Sequence, residues 1–194
     1  MYGSGAEENP YSSGHYTQLE FVDLLKYASQ LKINIVPQVN VIGSLRSAKI
    51  ASHKRYERLL ATNQTEADRL HLMTAEPAIA KQDGPVDSCF TDGVIDPCDP
   101  ATKNFIQELM TSLSEMYTQA GAKFNTFHAG GDSSVKLFSA FPSCQASAKN
   151  QSDAMRDLLG EVQQFMTATG GNVQVNEEAV VDPDTGTCLQ VKKT

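Results

Sequence analysis

The chain has 194 residues, 40% of them hydrophobic and 20% charged, which is the balance of an ordinary globular protein with one substantial core. Its apolar runs, such as residues 33–37, fall far short of the roughly 18 residues that a spanning helix needs, so no membrane protein of the helical kind is read from it. The formal net charge of -7 is scattered along the chain and repels polyanions at long range, which excludes nucleic acid as a partner.

Residues 1–10 are polar and show neither a basic stretch nor the apolar core of a secretory leader. Thr17 with Glu20 three residues on has capping-box spacing, and Leu19, Val22, Leu25 and Ala28 then recur on one face, predicting a helix that ends near Leu31. Residues 33–36 form a β-branched run stopped by Pro37, which reads as a strand. A second helix is expected over 45–61, with Ile50, Leu59 and Leu60 as a thin apolar stripe. Residues 62–98, rich in Asp, Pro and Thr, form an insertion longer than a connection requires, either a functional loop or a disulfide-tied excursion.

The clearest helix signal follows. Asp99 caps, Pro100 takes the first helical position, Phe105, Ile106, Leu109, Leu113, Met116 and Tyr117 supply the apolar face, and Gly121 closes the helix. A strand over 124–128 comes next, then a helix from a Ser152 cap through Met155, Leu158, Leu159, Val162, Phe165 and Met166 to Gly170, then a strand over 173–176. Helices and strands alternating in this way point to a parallel α/β sheet. The Met and Phe positions fall at helical spacing and read as core.

Cys89, Cys98, Cys144 and Cys188 are even in number and sit in loop-like segments, which suits disulfides better than a metal site; three connectivities, or four free thiols, remain open on spacing alone. Asn63-Gln64-Thr65 and Asn150-Gln151-Ser152 are glycosylation acceptor sequences, of which one or two are expected by chance at this length.

In parallel α/β folds ligands sit at the carboxyl ends of strands, so residues 37–44 and 128–134 are the candidates for chemistry. Gly130 and Gly131 permit a sharp turn and close backbone approach, and Asp132 stands at the strand tip, either as a working carboxylate or as the cap of a tight turn. Ser133 lacks the downstream histidine that a serine nucleophile of this kind requires, since the last histidine is His128. His15, His53, His71 and His128 lie without ligand spacing, so no metal is expected. Residues 182–186 look like a calcium loop only in outline, lacking the third early ligand and the closing Glu, and read as a turn.

His128-Ala129-Gly130-Gly131-Asp132-Ser133 resembles the His-x-Gly-Gly-Asp-Glu signature of glycoside hydrolase family 20, the chitobiase-like β-N-acetylhexosaminidases. Pro37-Gln38-Val39-Asn40-Val41-Ile42-Gly43-Ser44 resembles the same family's Pro-Glu-Ile-Asp-Met-Pro-Gly-His segment. The likeness in order and spacing is best over 16–138, including Asp96-Pro97-Cys98, and thinner over 152–179, where Asn176-Glu177-Glu178 resembles the end of the next strand. It implies an α/β fold that is part of a (β/α)₈ TIM-type barrel, about three βα units with parallel strands. Residues 1–194 then read as a partial catalytic domain carrying the 62–98 insertion, because a full barrel needs about 250 residues.

The resemblance also implies a chemistry. In this family the substrate's own acetamido oxygen attacks the anomeric carbon, an Asp steadies the acetamido group and a Glu protonates the leaving oxygen. The Asp falls on Asp132, but the acid falls on Ser133, and losing a general acid costs about 10² to 10⁴ in rate. Gln38, Asn40 and Ser44 stand where the family has Glu, Asp and His; His128, Asn40 and Ser44 are the substrate contacts it implies. The chain has no Trp, although family pockets stack sugar rings on tryptophan. Two functions follow as expectations. One is a β-N-acetylhexosaminidase-family protein for terminal N-acetylhexosamine on chitin-like oligosaccharides; the other is an inactive relative kept as an extracellular carbohydrate-binding or matrix component. Either would be secreted, would meet N-acetylglucosamine-containing glycans or chitin, and would use no cofactor. A Cys98–Cys144 disulfide is expected, because Cys98 precedes the capped helix and Cys144 lies in the loop after the motif strand.

Overall fold

The computed structural model describes residues 15–41, 45–72, 95–131, 141–147, 151–176 and 179–180. In chain order these hold α1 (Gln18–Gln30), α2 (Arg46–Leu60), α3 (Gln64–Arg69), α4 (Pro100–Ala120), β1 (Thr126–His128), α5 (Pro142–Ala146), α6 (Gln151–Ala168) and β2 (Asn172–Gln174).

The helix boundaries follow from their caps. The Thr17 hydroxyl accepts the Glu20 amide while the Glu20 carboxylate accepts the Thr17 amide at 2.7 Å, a complete capping box that satisfies two otherwise orphaned donors of α1. Asp99 accepts the Ala101 amide at 2.8 Å to start α4, and Gly121, at φ 64°, ends it in the left-handed conformation that a side chain resists.

β1 and β2 pair in parallel with Phe127 opposite Val173, and on the other side of β1 Gln38 makes an isolated parallel bridge to His128. Three extended segments therefore lie side by side, the one around residues 37–41 outermost, β1 central and β2 beyond. Bonds from the Val39 amide to the His128 carbonyl (3.0 Å) and from the Ala129 amide to the Gln174 carbonyl (2.8 Å) tie them.

Alternation divides the residues of this sheet between two faces. Val39, Val41, Phe127, Ala129, Val173 and Val175 pack with Leu25 of α1, Ile106, Met110 and Tyr117 of α4, and Leu158, Val162 and Met166 of α6 in one apolar core. Fully burying a side chain such as Phe127, at 0% exposure, is worth about 1.5–3 kcal/mol.

Four expectations need correction. The strand expected over 33–36 is displaced toward the carboxyl side: Ile33 and Val36 are 57% and 37% exposed, and pairing begins where the Pro37 carbonyl accepts the His128 amide at 3.0 Å. The cause is visible at Ile35, whose carbonyl is taken by the Tyr117 hydroxyl of α4 at 2.8 Å and not by a neighbouring strand. Ser152 is not a cap, because α6 starts one residue earlier at Gln151. The 62–98 insertion contains the helix α3, capped by Asn63, and its residues 73–94 lie outside the described residues. Cys144 is not in a loop but in α5, and is buried.

Candidate functional site

The carboxyl ends of the three parallel segments converge on a glycine turn. At its centre the Gly131 amide donates to Asn40 Oδ1 at 2.9 Å, and the Gly130 amide donates to His128 Nδ1 at 3.1 Å. From the other side the Asn176 amide donates to the Gly130 carbonyl at 2.9 Å. Gly130 has φ +70°, and a Cβ placed there would lie 2.7 Å from the Asn40 Cα and 2.7 Å from Asn40 Oδ1, so both backbone conformation and space demand glycine. Because His128 Nδ1 accepts a hydrogen bond, the neutral ring carries its proton on Nε2, which leaves an N–H for a ligand.

Asn40, His128 and Asn176 share the sheet face opposite the core with Gln38, Thr126, Asn172 and Gln174, by strand alternation. Every one of these is an amide, hydroxyl or imidazole, and none is buried. A parallel sheet is usually apolar on both faces. Here one face is apolar and the other is neutral and rich in hydrogen-bonding groups, a chemistry suited to a polyhydroxylated ligand and poorly suited to an ion. The sequence reading missed Gln174 and Asn176 as site candidates. The signal was the run Asn172, Gln174, Asn176, with Val173 and Val175 between.

Of the other residues singled out in the sequence, Asp132, Ser133, Ser44 and Asn150 lie outside the described residues, as do residues 182–186, Cys89 and Cys188. Asn63 is exposed at the start of α3, far along the chain from the glycine turn. The structure thus brings together Asn40, His128, Gly130 and Gly131, and Asp132 follows Gly131 directly in sequence.

A second polar centre lies between the starts of α4 and α5. Cys98 and Cys144 are joined by a disulfide, the pairing expected from sequence. Asp96, only 2% exposed, accepts the Cys98 amide at 2.9 Å and the Ser143 hydroxyl through its carboxylate, while its carbonyl accepts the Thr102 hydroxyl at 2.6 Å. Asp96, Cys98 and Cys144 stand close enough to hold a metal, but sulfurs in a disulfide offer no thiolate, so the cluster is a structural tie between α4 and α5. The neighbouring cap Asp99 has its carboxyl pushed up, chiefly by burial, against the opposing bond from the Ala101 amide.

His53 and His71 meet with Nδ1 and Nε2 at 3.2 Å, and Tyr56 stacks on His71 with ring centroids 3.9 Å apart. Burial, and then the proximity of His53, holds His71 below the usual histidine range. A cavity of about 390 Å³ lies at the opposite, amino ends of the strands, among Lys32, Ile35, Tyr117, Lys123 and Asn125, and has no part in the glycine-turn site.

Comparison with known proteins bears on this arrangement directly. The sequence profile described as glycosyl hydrolase family 20, catalytic domain, matches residues 1–185. The chain is 26% identical over 183 residues to the N,N'-diacetylchitobiase of Vibrio harveyi, covering 93% of this chain and 20% of that protein. It is 28% identical over 151 residues to the beta-hexosaminidase B of Pseudoalteromonas piscicida, covering 76% of this chain and 19% of the relative. It therefore spans about a fifth of the length of these curated relatives. The crystal structure of a chitobiase from Flavobacterium johnsoniae shares the fold with a TM-score of 0.58 at 21% identity, over 88% of this chain and 23% of that one. A match over nearly the whole chain, with parallel strands ending in the glycine turn, establishes that this chain belongs to glycosyl hydrolase family 20, as part of its TIM-type barrel catalytic domain.

Proposed function

We propose that the chain supplies about three βα units of a secreted β-N-acetylhexosaminidase barrel, and that its glycine turn holds the terminal N-acetylhexosamine of chitin-like oligosaccharides. The observation that carries this reading is the neutral polar sheet face ending at Asn40, His128 and Asn176. Such a face recognises hydroxyl and acetamido groups by hydrogen bonds without the desolvation cost of buried charge. In this reading His128 Nε2–H donates to a sugar oxygen. Asn40 holds the Gly131 amide and so fixes the start of the chain that carries Asp132, which orients the acetamido oxygen for its attack on the anomeric carbon.

One observation favours a second reading, a carbohydrate-binding relative in an extracellular matrix: Ser133 stands where the family's acid is expected. A serine hydroxyl does not protonate a leaving group near neutral pH as a tuned carboxylic acid does. Release of a chromogenic aglycone from a β-N-acetylglucosaminide, run beside retention on chitin, separates the two. Turnover well above a heat-inactivated control supports hydrolysis. Retention without turnover supports the binding role, and the absence of both turnover and retention sinks the assignment of the glycine turn as a sugar site in this chain.

A further inference from the structure

Asn63 sits where α2 turns into α3 and heads the sequence Asn63-Gln64-Thr65, all three residues exposed. The two ends of its amide are used differently. Oδ1 accepts the Glu66 amide at 3.0 Å and caps α3, whereas Nδ2 makes no hydrogen bond among the described residues. A second, independent observation bears on the compartment. The Cys98–Cys144 disulfide, with Cys144 2% exposed, is of a kind that persists in oxidising surroundings and is rare where thiols are kept reduced.

From these we infer that Asn63 is an N-glycosylation site that carries its oligosaccharide on Nδ2. The inference rests on the secretory placement proposed above. The donor is a lipid-linked oligosaccharide pyrophosphate. A bond forms between Nδ2 and C1 of the reducing-end sugar as the bond from C1 to the pyrophosphate oxygen breaks; the lipid pyrophosphate leaves with the electron pair, and the amide gives up one of its two protons. Nothing is oxidised or reduced. Oδ1 keeps its lone pairs, so the cap on α3 survives the modification. The glycan leaves the surface beside the Arg55, Glu66, Arg69 and Glu108 ion cluster and displaces no buried contact.

The test is translation of the full chain behind a cleavable secretory leader in the presence of endoplasmic-reticulum microsomes, in an Asn150→Gln background that silences the second acceptor sequence. The protease-protected product should show one discrete mass step removed by a peptide N-glycosidase. Thr65→Ser should keep the step. Thr65→Ala should abolish it while leaving the Asn63 cap in place. A protected chain with no glycan at Asn63 overturns the inference. Formation of the Cys98–Cys144 bond in the same product, read by non-reducing mobility, tests the oxidising compartment separately.

Discussion

Asn40 and Gly131 lie 91 residues apart in the chain and are joined by one hydrogen bond of 2.9 Å, from the glycine amide to the asparagine side chain. The backbone of Gly130 passes so close to Asn40 that only a hydrogen atom fits between them. Gly130→Ala is therefore expected to destabilise the fold by roughly 2–4 kcal/mol, combining the strain of a left-handed alanine with displacement of the Asn40 backbone. Gly160→Ala, in the middle of α6 with open space at its Cβ, should stabilise by about 0.5–1 kcal/mol. Urea denaturation of both variants checks the contrast, and equal effects would contradict the geometry. Asn40→Asp should keep the fold, since a carboxylate accepts the Gly131 amide as well as an amide oxygen does.

The disulfide closes a stretch of 46 residues that includes α4 and β1. By loop-closure entropy its removal is expected to cost about 2–4 kcal/mol. The double variant Cys98→Ser/Cys144→Ser, compared with wild type in thermal denaturation, should show this loss. Asp96 is then left buried beside two hydroxyls, which keeps its hydrogen bonds partly satisfied.

His71 supplies a pH dependence. Burial comes first among the causes that lower its pKa below 6.5, followed by His53, with Asp68 and Asp99 opposing. The unfolded chain takes up a proton near pH 6.5 while the folded ring resists it, so this contribution to stability is present above 6.5 and is lost as pH falls through the lower folded value. Denaturation midpoints between pH 7 and pH 5 should fall in wild type. The slope should flatten in His71→Phe, which keeps the stack on Tyr56; an unchanged slope would assign the effect elsewhere.

At the other end of the pH scale, burial pushes the Tyr117 phenol up to about 12 from its ordinary 10. The folded state holds its proton more tightly than the unfolded chain does, so stability is full below pH 10 and declines from 10 towards 12. Tyr117→Phe should remove that alkaline decline. It should also cost about 0.5–1.5 kcal/mol at neutral pH for the lost bond to the Ile35 carbonyl.

What the sequence disclosed depended on how local each signal was. Thr17, Glu20, Asp99, Pro100 and Gly121 act through neighbours within one helical turn, and α1 and α4 begin and end where those residues place them. The first strand was misplaced because its position is set by the Tyr117 hydroxyl, a partner 82 residues away that no periodicity reveals. α3 escaped notice because six residues are too few to establish a helical period. At the site, the paired glycines and Asn40 stood out through the family motif, whereas the hydrogen bond that unites them is a property of the folded sheet alone.

The central position of β1 between a distant early segment and a nearer later one has a kinetic consequence. β1 and β2 are joined through the adjacent α6, but the segment at residues 37–41 must return across the whole 62–98 insertion. The cost of closing that large loop falls on the last contacts to form. Docking of Asn40 onto Gly131 is expected to follow the barrier, so weakening it should accelerate unfolding and leave the refolding rate almost unchanged. The glycine-turn site would then be assembled last and lost first.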